Sequence, residues 1–131
     1  MAEPPRRAIA DTSVFIALET GRAIGELPGE LAVSMITAGE LELGVLRAPN
    51  SHARARRLAT LAQVRGAFPL LPIDSLTASC YARLSDEALT SGYRPSDHDT
   101  WIAATAMRHG VAVATQDADF AAFESVSIVR V

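Results

Sequence analysis

Residues 96–120, SDHDTWIAATAMRHGVAVATQDADF, contain a four-residue apolar run, Val111-Ala112-Val113-Ala114, held between a helical pattern and an acidic turn. The helix is predicted from Ser96 or Asp97 as its cap, Asp99 in its first turn, and Ile102, Ala103, Ala106 and Met107 at the i, i+3, i+4 spacing of a buried face. Gly110 supplies the stop. A strand so short and so apolar must be covered on both faces, as in a parallel sheet flanked by helices. The helix runs away from its first turn and the strand runs back. Asp99 and the Asp117/Asp119 pair therefore return to one edge of the sheet, the edge outside the carboxyl ends of the strands, where open α/β folds bind ligands.

The rest of the chain repeats the alternation. Ala8-Ile9-Ala10 reads as a minimal strand ending at Asp11, with Thr12 or Ser13 capping a helix whose run Val14 to Leu18 is apolar on more than one side. Gly21 to Gly29 is a loop. Leu31 to Ile36 is a second strand, and Thr37-Ala38-Gly39-Glu40 opens the next helix as a capping box, with Thr37 as N-cap and the Glu40 carboxylate reaching back to its N–H. Pro49-Asn50-Ser51 breaks the chain before a helix over 51–64, with Leu58, Leu61 and Ala62 on its apolar face and Arg54, Arg57 and Arg65 off it. Phe68 to Ile73 carries Pro69 and Pro72, so it fits an edge strand or a crossover rather than a central strand. A helix from Asp74 or Ser75, burying Leu76, Cys80 and Leu84, ends near Gly92, and 125–129 closes the chain as a last strand. The expectation is a three-layer α/β/α architecture with a mainly parallel central sheet, in a single domain over residues 1–131.

Composition narrows the chemistry. A hydrophobic content of 49% excludes a disordered chain, and the scarcity of aromatics leaves Ala, Leu, Val and Ile to build the core. All 12 basic residues are arginine, which removes mechanisms needing a catalytic amine or a phosphate-loop lysine. Cys80 stands alone, so there is no internal disulfide or multi-cysteine zinc site. Residues 1–7 have no apolar leader core and no run approaches the ~20 residues of a membrane span, so a cytoplasmic protein with no membrane partner is expected. The net charge of -3 gives no global pull toward nucleic acid, and any such binding needs local arginines, with Arg94 and the Arg54 to Arg65 face as candidates.

Under the parallel-sheet reading, Asp11, Glu40, Asp99 and Asp117/Asp119 share one edge. Individually each has a capping or turn role; capping does not predict that they converge. Converged carboxylates cannot all stay ionised without shifted pKa values or a cation. An all-oxygen set suits a hard ion such as Mg²⁺ or Mn²⁺, which polarises a phosphodiester and activates water. Thr12, Ser13 and Thr115 are placed to orient water or phosphate oxygens behind the acids. Two rivals stand beside this reading. One is a non-catalytic α/β interaction module whose acids only cap helices. The other is a different metal-dependent phosphoesterase, although Ser13 stands where a haloacid-type enzyme needs a second Asp, and a receiver-type fold needs a lysine.

Asp11-Thr12-Ser13 after the first strand, Glu40 opening a helix after the second, DTWIAATA over 99–106, and TQDADF over 115–120 together resemble the PIN domains of VapC-type toxins from VapBC toxin–antitoxin modules. The resemblance spans essentially the whole chain. It implies a Mg²⁺- or Mn²⁺-dependent endoribonuclease cutting single-stranded regions of structured RNA such as tRNA or rRNA. It also implies a homodimer held inactive by a cognate VapB-type antitoxin whose C-terminal segment covers the acidic pocket. Asp11, Glu40 and Asp99 match the family's metal-site acids. The family places the fourth acid either two residues after the threonine or just before the phenylalanine, which here are Asp117 and Asp119. Asp117 is favoured as ligand, with Asp119 as a helper or turn residue. The D-x-x-I-A register selects Asp99 over Asp97, and His98 reads as a loop residue.

Overall fold

The computed structural model describes residues 6–131; residues 1–5, part of the stretch read above for a leader, lie outside the described residues. Five parallel strands form one sheet in the order β3-β2-β1-β4-β5, comprising β1 (Arg7–Ala10), β2 (Glu30–Ser34), β3 (Leu70–Leu71), β4 (Ala112–Thr115) and β5 (Ile128–Arg130). The helices are α1 (Thr12–Thr20), α2 (Met35–Leu46), α3 (Ser51–Ala67), α4 (Ser75–Thr90) and α5 (Asp97–His109). The three-layer α/β/α architecture is as expected. Strand order, unreadable from the sequence, adds one decisive fact. From β1 the chain builds outward to β2 and β3, then crosses to β4 on the other side, so the switch point lies between the carboxyl ends of β1 and β4.

Alternation along β1 sends its side chains to different layers. Ile9 packs with Leu84, Ile102, Val113, Phe120 and Phe123 on the α4/α5 side, while Ala10 packs with Val14, Phe15, Val33, Leu41, Leu61 and Val64 on the α1/α2/α3 side. Ala103, Ala104 and Ala106 are wholly buried, and their small side chains seat α5 close against the sheet. Gly110 takes the left-handed conformation, φ 65°, that ends α5.

Several sequence expectations shift. The predicted stripe of α3 is rotated: Leu58 is 52% exposed and Ala62 is exposed, whereas Ala53, Leu61 and Val64 face inward. In α4, Leu76 is 55% exposed and Cys80 only half-buried, while Thr77, Leu84 and Ala88 make the packed face. Leu61 and Leu84 keep their predicted burial, and the rest of each inward face is completed by Ala53, Val64, Thr77 and Ala88, which a count of large apolar residues misses. Ile16 and Leu18 of α1 are likewise exposed, so that helix is buried on one side only. The last strand starts late because Ser125 is tied to α4, its N–H and hydroxyl both donating to the Glu87 carboxylate at 2.9 and 2.7 Å.

Candidate active site

At the switch point the backbone itself joins β1 to β4: the Asp11 N–H donates to Ala114 O at 2.9 Å. Asp11, 4% exposed, is the N-cap of α1, a role predicted for Thr12 or Ser13. Its extended backbone, ψ 158°, marks the change from strand to helix one residue earlier than the hydroxyl residues suggested. Oδ2 accepts from the Thr115 hydroxyl at 2.9 Å and from the Ser13 N–H at 3.4 Å. With the Thr115 proton committed to a carboxylate, Thr115 Oγ1 serves as acceptor for the Asp117 N–H at 2.8 Å and for the Ser13 hydroxyl at 3.2 Å. Ser13 Oγ in turn accepts the Gln116 N–H at 3.0 Å. Two hydroxyls thus lock the buried acid to the turn that follows β4.

The Glu40 capping box does not form. Strand β2 stops at Ser34, whose Oγ accepts the Ile36 N–H at 3.1 Å, so α2 begins at Met35 and Thr37 is already inside it, buried. The apolar Met35 and Ile36 had extended the predicted strand by two residues. Freed from capping, Glu40 turns across to α1: Oε1 accepts from the Thr12 hydroxyl at 2.8 Å, and Thr12 Oγ1 also lies 3.1 Å from Thr37 Oγ1. Glu40 Oε2 is 3.4 Å from Nδ1 of His98, which lies in the first turn of α5 rather than in a loop. That contact joins positions 58 apart in sequence, and no local pattern announces it.

Asp99 is held by its helix. Ser96 is the N-cap of α5 and accepts the Asp99 N–H at 3.1 Å, so Asp99 itself caps nothing. Carboxylate oxygens of Asp99, Asp117 and Asp119 lie within 4.8 Å of one another, with Asp99 and Asp117 half-buried and Asp119 exposed. Asp117 caps the short turn of 3-10 helix over Ala118–Ala122, with Oδ1 accepting the Asp119 N–H at 2.9 Å. Burial first, then the charge of Asp11, push the Asp99 carboxyl up to about 6; the charges of Asp117 and Glu40 add to this, while the Ser96 hydrogen bond opposes it. Asp11 and Glu40 therefore stand outside the 4.8 Å triad but within electrostatic reach of it.

Asp97 points elsewhere, accepting from the Tyr81 hydroxyl at 2.8 Å, and Tyr81 stacks on Trp101 with ring centroids 4.1 Å apart. Arg94 lines a separate groove of about 240 Å³ with Tyr93, Pro95 and Asp97. Of the α3 arginines, Arg65 pairs with Glu42 at 2.9 Å and Arg57 donates to Gly44 O at 2.8 Å. Among the described residues no arginine forms an ion pair with Asp11, Glu40, Asp99, Asp117 or Asp119. An acidic pocket without a compensating arginine, offering only oxygen donors and one marginal imidazole, has the chemistry of a hard divalent cation site.

The PIN domain family matches residues 8–125. The chain is 43% identical to Ribonuclease VapC5 of Mycobacterium tuberculosis, with all of both chains covered, and 44% identical to Ribonuclease VapC4 of the same organism over 96% of this chain and 98% of that one. Its fold superposes with TM-score 0.84 and 40% identity on the crystal structure of VapBC-5, a member of the VapBC family of toxin–antitoxin systems from M. tuberculosis, covering 97% of this chain and all of the other. FitAcB of Neisseria gonorrhoeae is similar at TM-score 0.76 and 29% identity, covering 94% and 96%.

Proposed function

The chain belongs to the PIN domain family, and on that premise we propose that it is the toxin of a toxin–antitoxin module, an endoribonuclease working through a divalent cation held at the β1/β4 switch point. The observation that carries the metal-dependent reading is the convergence of Asp11, Glu40, Asp99, Asp117 and Asp119 at one sheet edge without a compensating arginine among the described residues. Helix capping accounts for Asp11 and Asp117 but not for Glu40 or Asp99, because Ser34 and Ser96 do that work.

In this proposal Asp11, Glu40, Asp99 and Asp117 hold Mg²⁺ or Mn²⁺, with Asp119 assisting from the exposed rim. When bound, such an ion neutralises phosphodiester charge and lowers the pKa of water for in-line attack. The chain's own residues supply orientation. Thr115 fixes Asp11 Oδ2, Ser13 fixes Thr115, and Thr12 fixes Glu40 Oε1, so the acids are placed before substrate arrives. Arg94, exposed on the loop before α5, contacts the RNA at a distance from the acids. The substrate is a single-stranded region of a structured RNA such as tRNA or rRNA. The whole chain acts as one domain, as a homodimer, in the cytoplasm, with a VapB-type antitoxin as its inhibitor. No helix among the described residues is long and apolar enough to cross a membrane.

The test is cleavage of total bacterial RNA by the purified chain in Mg²⁺, Mn²⁺ or EDTA, with new ends mapped by sequencing. Discrete cuts with metal, absent in EDTA and with Asp99→Asn, are expected. Intact RNA under every condition, with folded protein whose melting temperature does not respond to either metal, would falsify the proposal.

A further inference from the structure

A polyanion brought to a pocket of carboxylates needs fixed positive charge beside that pocket. Four of the 12 arginines are engaged away from the acidic edge. Arg7 pairs with Glu30, Arg65 with Glu42 and Arg108 with Asp74, each within 3.3 Å, and Arg57 is spent on a helix carbonyl. Arg22, in the loop after α1, and Arg130, in β5, are different. Both are exposed, and both converge on one neutral residue at the acidic edge: Arg130 Nη2 donates to Gln116 O at 3.1 Å and Arg22 Nη1 to Gln116 Oε1 at 3.5 Å. Neither meets a carboxylate within 4.0 Å among the described residues.

Gln116 is an unusually constrained anchor. Its N–H donates to Ser13 Oγ at 3.0 Å, and its side-chain amide donates to Ala23 O at 2.9 Å and Val131 O at 3.3 Å. The same Ser13 belongs to the hydroxyl pair that locks Asp11, and the residue after Gln116 is Asp117. Two guanidinium groups with donors to spare are therefore tied, through one residue, to the frame that sets the acids. A guanidinium offers five N–H donors in a planar fork suited to phosphate oxygens, and a hydrogen bond to an amide or carbonyl leaves most of that fork open.

We propose that Arg22 and Arg130 form a phosphate cradle that grips the RNA backbone beside the acidic pocket, orienting the strand so that a neighbouring phosphodiester lies over the carboxylates. This assignment rests on the ribonuclease reading. Arg22 and Arg130 are positioning residues, reading charge rather than base sequence, so they set affinity and salt dependence without setting the cut site.

The experiment compares binding of fluorescein-labelled bulk tRNA, by anisotropy in EDTA, between wild type, Arg22→Gln/Arg130→Gln and Arg7→Gln across about 50–200 mM salt. Loss of two phosphate contacts is expected to flatten the slope of log K against log salt by about 1.4–1.8. Arg7→Gln, at the opposite sheet edge, leaves the slope unchanged. Because Arg130 sits in a strand, Arg22→Glu alone provides a variant that spares β5, and it weakens binding more than Arg22→Gln does. Wild-type cutting of total RNA together with unchanged affinity and slope in these variants overturns the cradle alone. Failure of the folded wild type to cut total RNA overturns the ribonuclease reading and the cradle with it.

Discussion

Replacing Asp99 with Asn removes one negative charge from the acidic pocket while keeping the side chain's size and the backbone N–H that donates to Ser96. Asp99 has its carboxyl raised to about 6 from an ordinary 3.8. Because the folded value is the higher one, proton uptake accompanies folding between those pH values. The resulting stabilisation is complete below about pH 4 and lost above about pH 6, so at neutral pH the ionised Asp99 works against the fold. Two pKa units correspond to at most ~3 kcal/mol, but Asp99 is only half-buried and solvent screening takes away half or more of that. Loss of a favourable charge at the helix N-terminus removes another ~0.5 kcal/mol. Metal-free Asp99→Asn should therefore exceed wild type by about 1 kcal/mol at pH 7.5, equivalent to about 4 °C in melting temperature for a chain of this size. The gap should close as the pH falls to 4. Added Mg²⁺ should invert the order, raising wild type and leaving the variant where it was. Thermal unfolding in EDTA and in millimolar Mg²⁺ over pH 4–8 reads all of this. A variant no more stable than wild type at pH 7.5, or a gap indifferent to pH, would refute the argument from crowded charge.

Thr115→Val keeps the shape of a wholly buried side chain but strips the donor from Asp11 and the acceptor from the Asp117 N–H. Denaturant unfolding should register a loss of about 1–3 kcal/mol, and RNA cleavage should fall further than that loss alone explains; wild-type activity would show the hydroxyl to be dispensable. Asp74, the N-cap of α4, is lowered to about 2, chiefly by the Thr77 backbone N–H and then its hydroxyl. Its contribution is present above about pH 4 and disappears as the pH falls toward 2, so Asp74→Asn should flatten the acid limb of stability in that window, measured by circular dichroism at fixed denaturant. An unchanged acid limb would count against the cap.

The order of elements and the edge on which the acids gather were legible because strand and helix periods differ and because Asp11, Asp99 and Asp117 sit where one period gives way to the other. Within 99–107 the burial of Ile102, Ala103 and Ala106 was legible, while Thr100, Ala104 and Thr105 are buried as well and Met107 is only half-buried. Pro69 and Pro72 pointed to an edge strand or a crossover, and the segment is edge strand β3. Glu40 was legible as an acid at the right edge but not as a partner of Thr12, since its spacing from Thr37 mimics a local cap while the true cap, Ser34, looks like strand. Leu58 and Leu76 misled for a related reason: which face of α3 and α4 turns inward is set by the surface each helix packs against, a property of two surfaces rather than one. Strand order, the His98 contact and the gathering of Arg22 and Arg130 on Gln116 depend on tertiary closure and leave no mark in local sequence.

The placement of β1 has a bearing on when the protein can become dangerous to the cell that makes it. Its neighbour on one side is encoded at residues 30–34, but its neighbour on the other comes only at 112–115, and two of the pocket's acids come later still. A partly synthesised chain has a bare central strand edge and an incomplete set of acids, whatever helices it has already formed. Closure of β1 on β4 is a contact of long sequence separation, slow by comparison with local helix formation. Completion of the acidic pocket is thus deferred to the end of translation, and a message cut short before the codon for residue 112 yields a chain that lacks both β4 and the acids that follow it.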